Sequence, residues 1–339
     1  MSANIKQAME SGDPAGIEAL AVAHDRITGE LSKVIVGQQS VIEEILVAIL
    51  AGGHCLLEGV PGLAKTLLIQ SLSQALSLSF KRIQFTPDLM PSDITGTDVI
   101  QDDPETGERK FKFLPGPIFA NIILADEINR TPPKTQAAML EAMQERQVSA
   151  GGQARPLPKP FFVLATQNPL EQEGTYPLPE AQQDRFLFKI FVDYPSEAEE
   201  KMVVRRVAER QFGIIEPVLS GEDILAAQEL VSRVPVADAV VDYAMAIVRA
   251  TRPKTEGAPE FTEQWIAWGC GPRASINLIT AGKVVAALRG GECVACEDVA
   301  KIVPSVMRHR IGLNYTARAE GITPEDIATR LLEHVKAYA

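Results

Sequence analysis

One segment of this sequence carries an unmistakable chemical pattern: Gly59-Val60-Pro61-Gly62-Leu63-Ala64-Lys65-Thr66. It follows G-x-x-x-x-G-K-S/T at every fixed position except Ala64, which stands where the pattern has a second glycine. Successive backbone N–H groups in such a loop converge, and the helix that follows adds its positive N-terminal end. Together they stabilise a bound di- or triphosphate. Lys65 is then placed against the β- and γ-phosphates and the Thr66 hydroxyl against Mg2+, with Leu67 continuing the binding segment. Alanine tolerates a positive φ less well than glycine, so a Gly-rich turn without a ligand stays open on the loop alone.

Four further groups supply what a phosphate loop lacks. The run Ile122-Ile123-Leu124-Ala125 ends in Asp126-Glu127. Asp126 is placed to hold Mg2+ through its water shell. Glu127 takes the general-base position on the attacking water, where such groups contribute typically 10²–10⁴-fold. Ala165-Thr166-Gln167-Asn168-Pro169 closes another apolar run with polar residues, and Asn168 could hydrogen-bond the γ-phosphate or that water; an ordinary Asn-Pro turn is the plainer alternative. In Asp184-Arg185-Phe186, Arg185 could reach the γ-phosphate of a neighbouring subunit, a contribution of about 10³–10⁵ in rate; the alternative is a surface ion pair with Asp184 or Glu180. Arg273, in Gly271-Pro272-Arg273, could reach the phosphates from the helical segment, although spacing alone favours an ordinary helix-start arginine.

The elements that must position these residues follow from hydrophobic periodicity. Gln38 to Ala51 reads as an amphipathic helix, Cys55 to Glu58 as a short strand, Lys65 to about Leu76 as a helix and Phe80 to Phe85 as a second strand. Ile118 to Leu124 and Phe161 to Ala165 are apolar enough to be strands covered on both faces, and Leu187 to Val192 completes five. Thr135 to Gln144 is a helix, and a short helix begins at Pro179. Two hairpins interrupt this rhythm: one within Pro87–Gly116, with Val99-Ile100 and Phe111-Lys112-Phe113 around a turn at Asp103–Gly107, and one over Gln147–Pro158. From Ser196 onward helical periodicity takes over. The expected fold is α/β, a five-stranded parallel sheet with helices on both faces and inserted hairpins over residues 1–195, then an all-helical lid over 196–339.

Composition narrows the function class. The 339 residues carry 33 Lys and Arg against 44 Asp and Glu, a formal charge of −11, which is a poor bulk match for nucleic acid or anionic lipid. Lys81-Arg82 and Arg109-Lys110-Lys112 are the basic clusters worth testing against nucleic acid. No run reaches the roughly 18–20 apolar residues of a membrane helix, and the N-terminal residues lack the order of a signal peptide, so a reducing, cytoplasmic setting is expected. Cys55, Cys270, Cys293 and Cys296 then read as thiols. Cys293 and Cys296 have the spacing of a zinc half-site or redox pair, but no second pair accompanies them, which favours helix-start packing. His24, His54, His309 and His334 have no metal-ligand spacing. Trp265 and Trp268, three apart, are expected on one helical face inside the lid core.

Taken together these strings resemble the AAA+ ATPases, and specifically the MoxR family, from about Val34 to the last helix. Val36-Gly37-Gln38, the phosphate loop with its Ala64, Asp126-Glu127-Ile128-Asn129-Arg130, Ala165–Pro169, Pro179-Glu180-Ala181-Gln182 with Asp184-Arg185-Phe186, and Gly271-Pro272-Arg273-Ala274 carry the resemblance. It implies ATP/ADP and Mg2+ as ligands, and Ile35, Val36 and Gly37 beside the adenine. It further implies Asn168 as first sensor, Arg185 as trans-acting finger and Arg273 as second sensor, serving its own or an adjacent nucleotide. A homo-hexameric ring with nucleotide between subunits, and inserted hairpins facing the pore or the partner, are also implied. The work done would be remodelling or maturation of a protein client carrying a von Willebrand A domain. An ATPase motor acting on nucleic acid, a motor subunit similar to that of magnesium chelatase, and a nucleotide-binding scaffold with little turnover are the alternatives.

Overall fold

The structure, a computed structural model, describes residues 9, 14–60, 62–102, 109–168, 174–209 and 213–336, without the side chains of residues 110 and 336. In chain order, α1 (Pro14–Ser32) and α2 (Gln39–Leu50) precede β1 (Cys55–Glu58), α3 (Lys65–Ala75) and β2 (Phe80–Gln84). A short helix α4 (Pro91–Thr95) opens the hairpin β3 (Gly96–Asp102) and β4 (Arg109–Pro115). Then come β5 (Ile122–Asp126), α5 (Pro133–Glu145), the hairpin β6 (Gln147–Ala150) and β7 (Gln153–Pro156), β8 (Phe162–Gln167), α6 (Glu180–Gln183) and β9 (Phe188–Phe191). The remainder is α7 (Glu197–Ala208), α8 (Gly221–Ser232), α9 (Asp238–Ala250), α10 (Glu260–Trp265), β10 (Ile266–Trp268), α11 (Pro272–Leu288), α12 (Cys296–Met307), β11 (Gly312–Leu313), α13 (Tyr315–Ala319) and α14 (Pro324–Lys336).

The main sheet has the order β2-β5-β8-β1-β9, with every neighbouring pair parallel. The expected five-stranded parallel sheet is therefore present. Its central strands are apolar throughout because both faces are covered: Leu57, Leu124 and Leu164 pack with α1 to α3 and the later helices, whereas Leu56, Ile123 and Val163 pack with Met139, Leu140 and Met143 of α5. In parallel α/β sheets the crevice at the carboxyl ends of the strands receives ligands. Here the segments after β1, β5 and β8 carry the phosphate loop, Asp126-Glu127 and Asn168.

The two inserted hairpins are present, the first longer than its apolar kernels Val99-Ile100 and Phe111–Phe113 and the second within the expected Gln147–Pro158. In β3–β4 the register runs from Gly96 opposite Pro115 to Asp102 opposite Arg109, and the turn expected at Asp103–Gly107 lies outside the described residues. In β6–β7 the two-residue turn Gly151-Gly152 has φ +62° and +72°, the left-handed pair a tight hairpin needs. Arg155 clips the hairpins together, with its guanidinium 3.7 Å from the Phe113 ring centroid and 3.8 Å from Asp98.

Three expectations need correction. The strand expected from Ile118 begins at Ile122; Ile118 is buried, but in the turn ahead of it, so burial and strand content part company there. The lid is helical apart from the antiparallel ribbon β10–β11. That ribbon separates the two tryptophans: Trp265 ends α10, is buried and donates to Glu320 at 2.7 Å, while Trp268 lies on β10 and is 41% exposed.

Candidate functional site

The phosphate loop leaves β1 at Gly59, where a Cβ would lie 2.5 Å from the Val192 carbonyl oxygen, so only glycine fits. Gly62 has φ +87°, and Ala64 sits at φ 54°, ψ 26°, immediately before α3. An alanine held there costs roughly 1–2 kcal/mol, a cost that the surrounding loop must offset. The Lys65 amine folds back to donate to the Gly59 carbonyl. Burial lowers its pKa from the ordinary lysine value, opposed by Asp126, Glu127 and Glu58. Pro61 lies outside the described residues.

Gly59, Gly62, Leu63, Ala64, Lys65 and Thr66 share one cavity of ≈ 410 Å³ with Arg82, Asp126, Glu127, Thr166, Gln167 and Asn168. Adjoining it is an apolar cavity of ≈ 160 Å³ lined by Ile35, Val36, Gly62, Leu63, Ala64, Leu67 and, from α7, Val203 and Val207. Polar and apolar compartments thus meet at the loop. Two expected binding residues stand back: Val60 packs against the hydrophobic core, and Gly37, at φ +68°, forms the turn into α2, with Glu199 pressed against its Cα. A larger cavity of ≈ 680 Å³ opens between α9 and α11, but it has no carboxylate in its lining.

The acids are closely held. The Thr166 hydroxyl donates to Asp126 Oδ1 at 2.6 Å and accepts from the Glu127 N–H at 2.8 Å, tying β8 to β5. Asp126 Oδ2 accepts from Arg82 Nε at 3.0 Å and Nη2 at 2.5 Å. Glu127, at φ 57° and ψ 48°, accepts from Gln84 Nε2 at 2.6 Å and pairs with Arg130 at 3.1 Å. A bulky residue in left-handed backbone is a strained position of the kind that clusters at functional sites. Asn168 is buried at the end of β8.

Arg185 and Arg273 do not join this group. Arg273 Nη1 lies 2.9 Å from Asp184 Oδ2, and the other oxygen of Asp184 accepts from Arg310 Nε at 2.7 Å. Arg310 is 2% exposed as a side chain and also donates to the carbonyls of Asp184, Phe186, Leu187 and Val306. It thereby docks α12 onto the loop that carries Arg185. The Arg185 guanidinium forms no hydrogen bond or ion pair with any described residue. Asp184 therefore pairs with the lid and not with its neighbour.

Sequence reasoning missed Arg310, Gln84 and the tie made by Thr166, and assigned Arg82 to a basic cluster. The signal for Arg82 was its alternation with Gln84 on a strand; what was absent was the register that sets Gln84 opposite Asp126. Among the described residues no cluster of three or more His, Cys, Asp or Glu can hold a metal. One carboxylate and one hydroxyl beside a polyphosphate loop nevertheless fit Mg2+, which usually binds through one or two carboxylates together with substrate phosphates. A guanidinium already seated on Asp126 Oδ2 marks that oxygen as a cation position.

Comparison with known proteins agrees with this arrangement. The profile of the ATPase family associated with various cellular activities (AAA) matches residues 54–188, and the AAA lid domain matches 260–331. Chaperone MoxR1 of Mycobacterium tuberculosis is 46% identical over 329 residues, covering 95% of this chain and 85% of that protein. The chain belongs to the MoxR family of AAA+ ATPases. Protein MoxR of Methylorubrum extorquens is 30% identical, with 92% of this chain and 94% of that protein covered. A crystal structure from Cytophaga hutchinsonii superposes with a TM-score of 0.85 at 43% identity, over 93% of this chain and 96% of the other. This MoxR-family ATPase has, among its described residues, no helix long and apolar enough to cross a membrane.

Proposed function

We propose that this chain is a Mg2+-dependent ATP hydrolase that works as a cytoplasmic homo-hexameric ring and remodels or matures a protein client, one bearing a von Willebrand A domain. The observation that carries the reading is a division of labour. The loop, both strand-end acids and Asn168 share one cavity, while Arg273 pairs with Asp184, the chain neighbour of Arg185, and neither arginine is in that lining. A second copy presenting its Asp184 face to the cavity would complete the site, the head-to-tail contact from which closed rings are built.

In this reading the adenine lies against Ile35, Val36, Leu63 and Leu67, with Gly37 turning the chain beside it. Gly59, Val60, Gly62 and Ala64 shape the loop around the phosphates, and Lys65 neutralises their charge. Thr66 and Asp126 are the residues that would hold Mg2+, which supplies charge neutralisation at the β- and γ-phosphates. Glu127 takes the proton from the attacking water as that water bonds to the γ-phosphorus and the bond to the departing ADP oxygen breaks, Asn168 orients that water, and Arg185 and Arg273 balance the charge on the transferring phosphoryl group. The division at residues 195 and 196 belongs to the same reading, the lid being the part that carries Arg273.

Client contact is assigned to the β3–β4 hairpin. Ile100 and Phe111 are cross-strand neighbours there, 63% and 79% exposed, and large apolar side chains paired in the open mark an interaction surface. Glu127→Gln is the test. It should retain ATP binding and lose turnover by about 10²–10⁴-fold, and it should hold ATP and client together in affinity capture. Undiminished hydrolysis would remove Glu127 from the mechanism.

A further inference from the structure

A guanidinium has five N–H donors in a planar fork, and at Arg310, just beyond α12, all of them find acceptors. Nε donates to Asp184 Oδ1 at 2.7 Å. Nη1 donates to the carbonyls of Leu187, at 3.2 Å, and Val306. Nη2 donates to the carbonyls of Asp184, at 2.9 Å, and Phe186, at 2.5 Å. Apart from the Val306 carbonyl, every acceptor lies in the segment from Asp184 to Leu187, and Arg185 is the residue in that segment that the fork passes over.

The effect on Arg185 is to fix the backbone around it. The Asp184 carbonyl and the Arg185 N–H belong to one peptide plane, held on one side by Arg310 and on the other by the Gln182 carbonyl at 3.2 Å. The next plane is held by the Phe186 N–H, which donates to the Gln183 carbonyl at 3.0 Å. The Phe186 carbonyl accepts from Arg310 and contacts His309 Nε2 at 3.2 Å, and the Phe186 ring is buried. With the planes before and after it held, the direction of the Arg185 Cα–Cβ bond is set. What is aimed in this way is a guanidinium with no hydrogen bond or ion pair among the described residues.

We propose that Arg310 is a positioning residue for hydrolysis in the neighbouring copy: it aims Arg185 at a cavity of which Arg310 itself is no part. This rests on the reading in which Arg185 completes the neighbour's site.

The clamp does not depend on Arg273. That arginine holds the other oxygen of Asp184 and is 45% exposed, so it can leave for a phosphate while Oδ1 and the carbonyls stay on Arg310. Arg310 contacts none of the residues that line its own copy's nucleotide cavity among its hydrogen-bond partners. Its loss should therefore damage the finger of the copy that carries the substitution and spare that copy's cavity.

Mixing full-length variants, with steady-state ATP hydrolysis read beside ADP affinity, tests this. Arg310→Met should keep ADP affinity and lower turnover by about 10²-fold, the cost of misplacing a catalytic group by about 1 Å. Arg310→Lys keeps a charge beside Asp184 but offers three donors without the fork. It should lose turnover in part, and it guards against loss of the fold in Arg310→Met. Mixed with Glu127→Gln, which brings a correctly aimed Arg185, either variant should regain hydrolysis at its own cavities. Mixed with Arg185→Ala, neither should, because that mixture holds no correctly aimed finger. Rescue by Arg185→Ala would place the defect in the variant's own cavity and overturn the proposal, as would wild-type turnover by both variants. Failure of Glu127→Gln to rescue either one would make Arg310 a residue of the fold alone and overturn it too. Failure of Arg185→Ala and Glu127→Gln to rescue each other would instead overturn the shared-site reading, and this proposal with it.

Discussion

Two aspartates, Asp126 and Asp184, each accept from an arginine, and they differ in what surrounds the pair. At Asp184 the guanidinium of Arg310 is 2% exposed and is shared among Asp184 and the carbonyls of Phe186, Leu187 and Val306. His309, also buried, contacts the Phe186 carbonyl through Nε2 at 3.2 Å. At Asp126 the guanidinium of Arg82 is 47% exposed and sits on a single carboxylate oxygen and one amide. The same chemical pair is therefore a fixed joint in one region and an exchangeable contact in the other. A buried, fully used arginine cannot leave without stranding a charge; an exposed one can. The fixed joint holds the loop bearing Arg185 against the lid, and the Arg185 guanidinium is left with no hydrogen bond or ion pair among the described residues.

The sharpest way to break the contrast is at Arg185. Arg185→Ala should lower turnover by about 10³–10⁵-fold with little change in the thermal midpoint, because no side-chain hydrogen bond or ion pair among the described residues is lost. A large fall in the midpoint with a small fall in rate would make Arg185 structural. Next in size is Arg310→Met, which keeps volume but removes the buried fork on Asp184 and the carbonyls of Phe186, Leu187 and Val306, leaving Asp184 with Arg273 alone. It should cost about 3–5 kcal/mol in urea unfolding, the usual penalty for breaking a buried pair from one side; a loss below 1 kcal/mol would place Arg310 in the exchangeable class with Arg82.

The smallest effect separates the regions by pH. Burial holds His309 well below its ordinary value and lowers His54 from 6.5 to about 4. A histidine with a depressed folded pKa binds fewer protons than its unfolded counterpart between those values. Its stabilising contribution is complete above about pH 6.5 and is lost as pH falls toward 4. For His54 the loss amounts to about 3 kcal/mol. Urea midpoints measured from pH 7 to 4.5 should therefore fall steadily; a flat profile would mean that the imidazoles take up protons in the folded chain as readily as in the unfolded one.

How much of this was legible depended on whether the chemistry is local in the chain. The phosphate loop, Asp126-Glu127 and Asn168 were readable because each is a short string at a strand end, and the structure gathers all of them around one cavity. Arg82 was not, since its meaning depends on the register that pairs β2 with β5. Arg310 was less so: its acceptor Asp184 lies 126 residues away, and nothing about a His-Arg-Ile segment announces a buried fork. The β10–β11 ribbon, three residues against two, is too short for any periodicity. Ile118 misled because an apolar residue in a buried turn is indistinguishable from one in a strand. Val60 and Gly37 were placed at the ligand by a string; Val60 packs against the core and Gly37 turns the chain into α2, and both keep their places beside the nucleotide in the proposed reading.

The central claim is that one copy's cavity is completed by another copy's arginine, and mixing two inactive proteins tests it directly. Arg185→Ala keeps the cavity and loses the finger; Glu127→Gln keeps the finger and loses the base. Steady-state hydrolysis should reappear when the two are combined at concentrations that favour assembly, because some cavities with Glu127 then face an intact Arg185. A mixture as inactive as its components, under conditions where the wild-type protein assembles and turns over, would contradict the account.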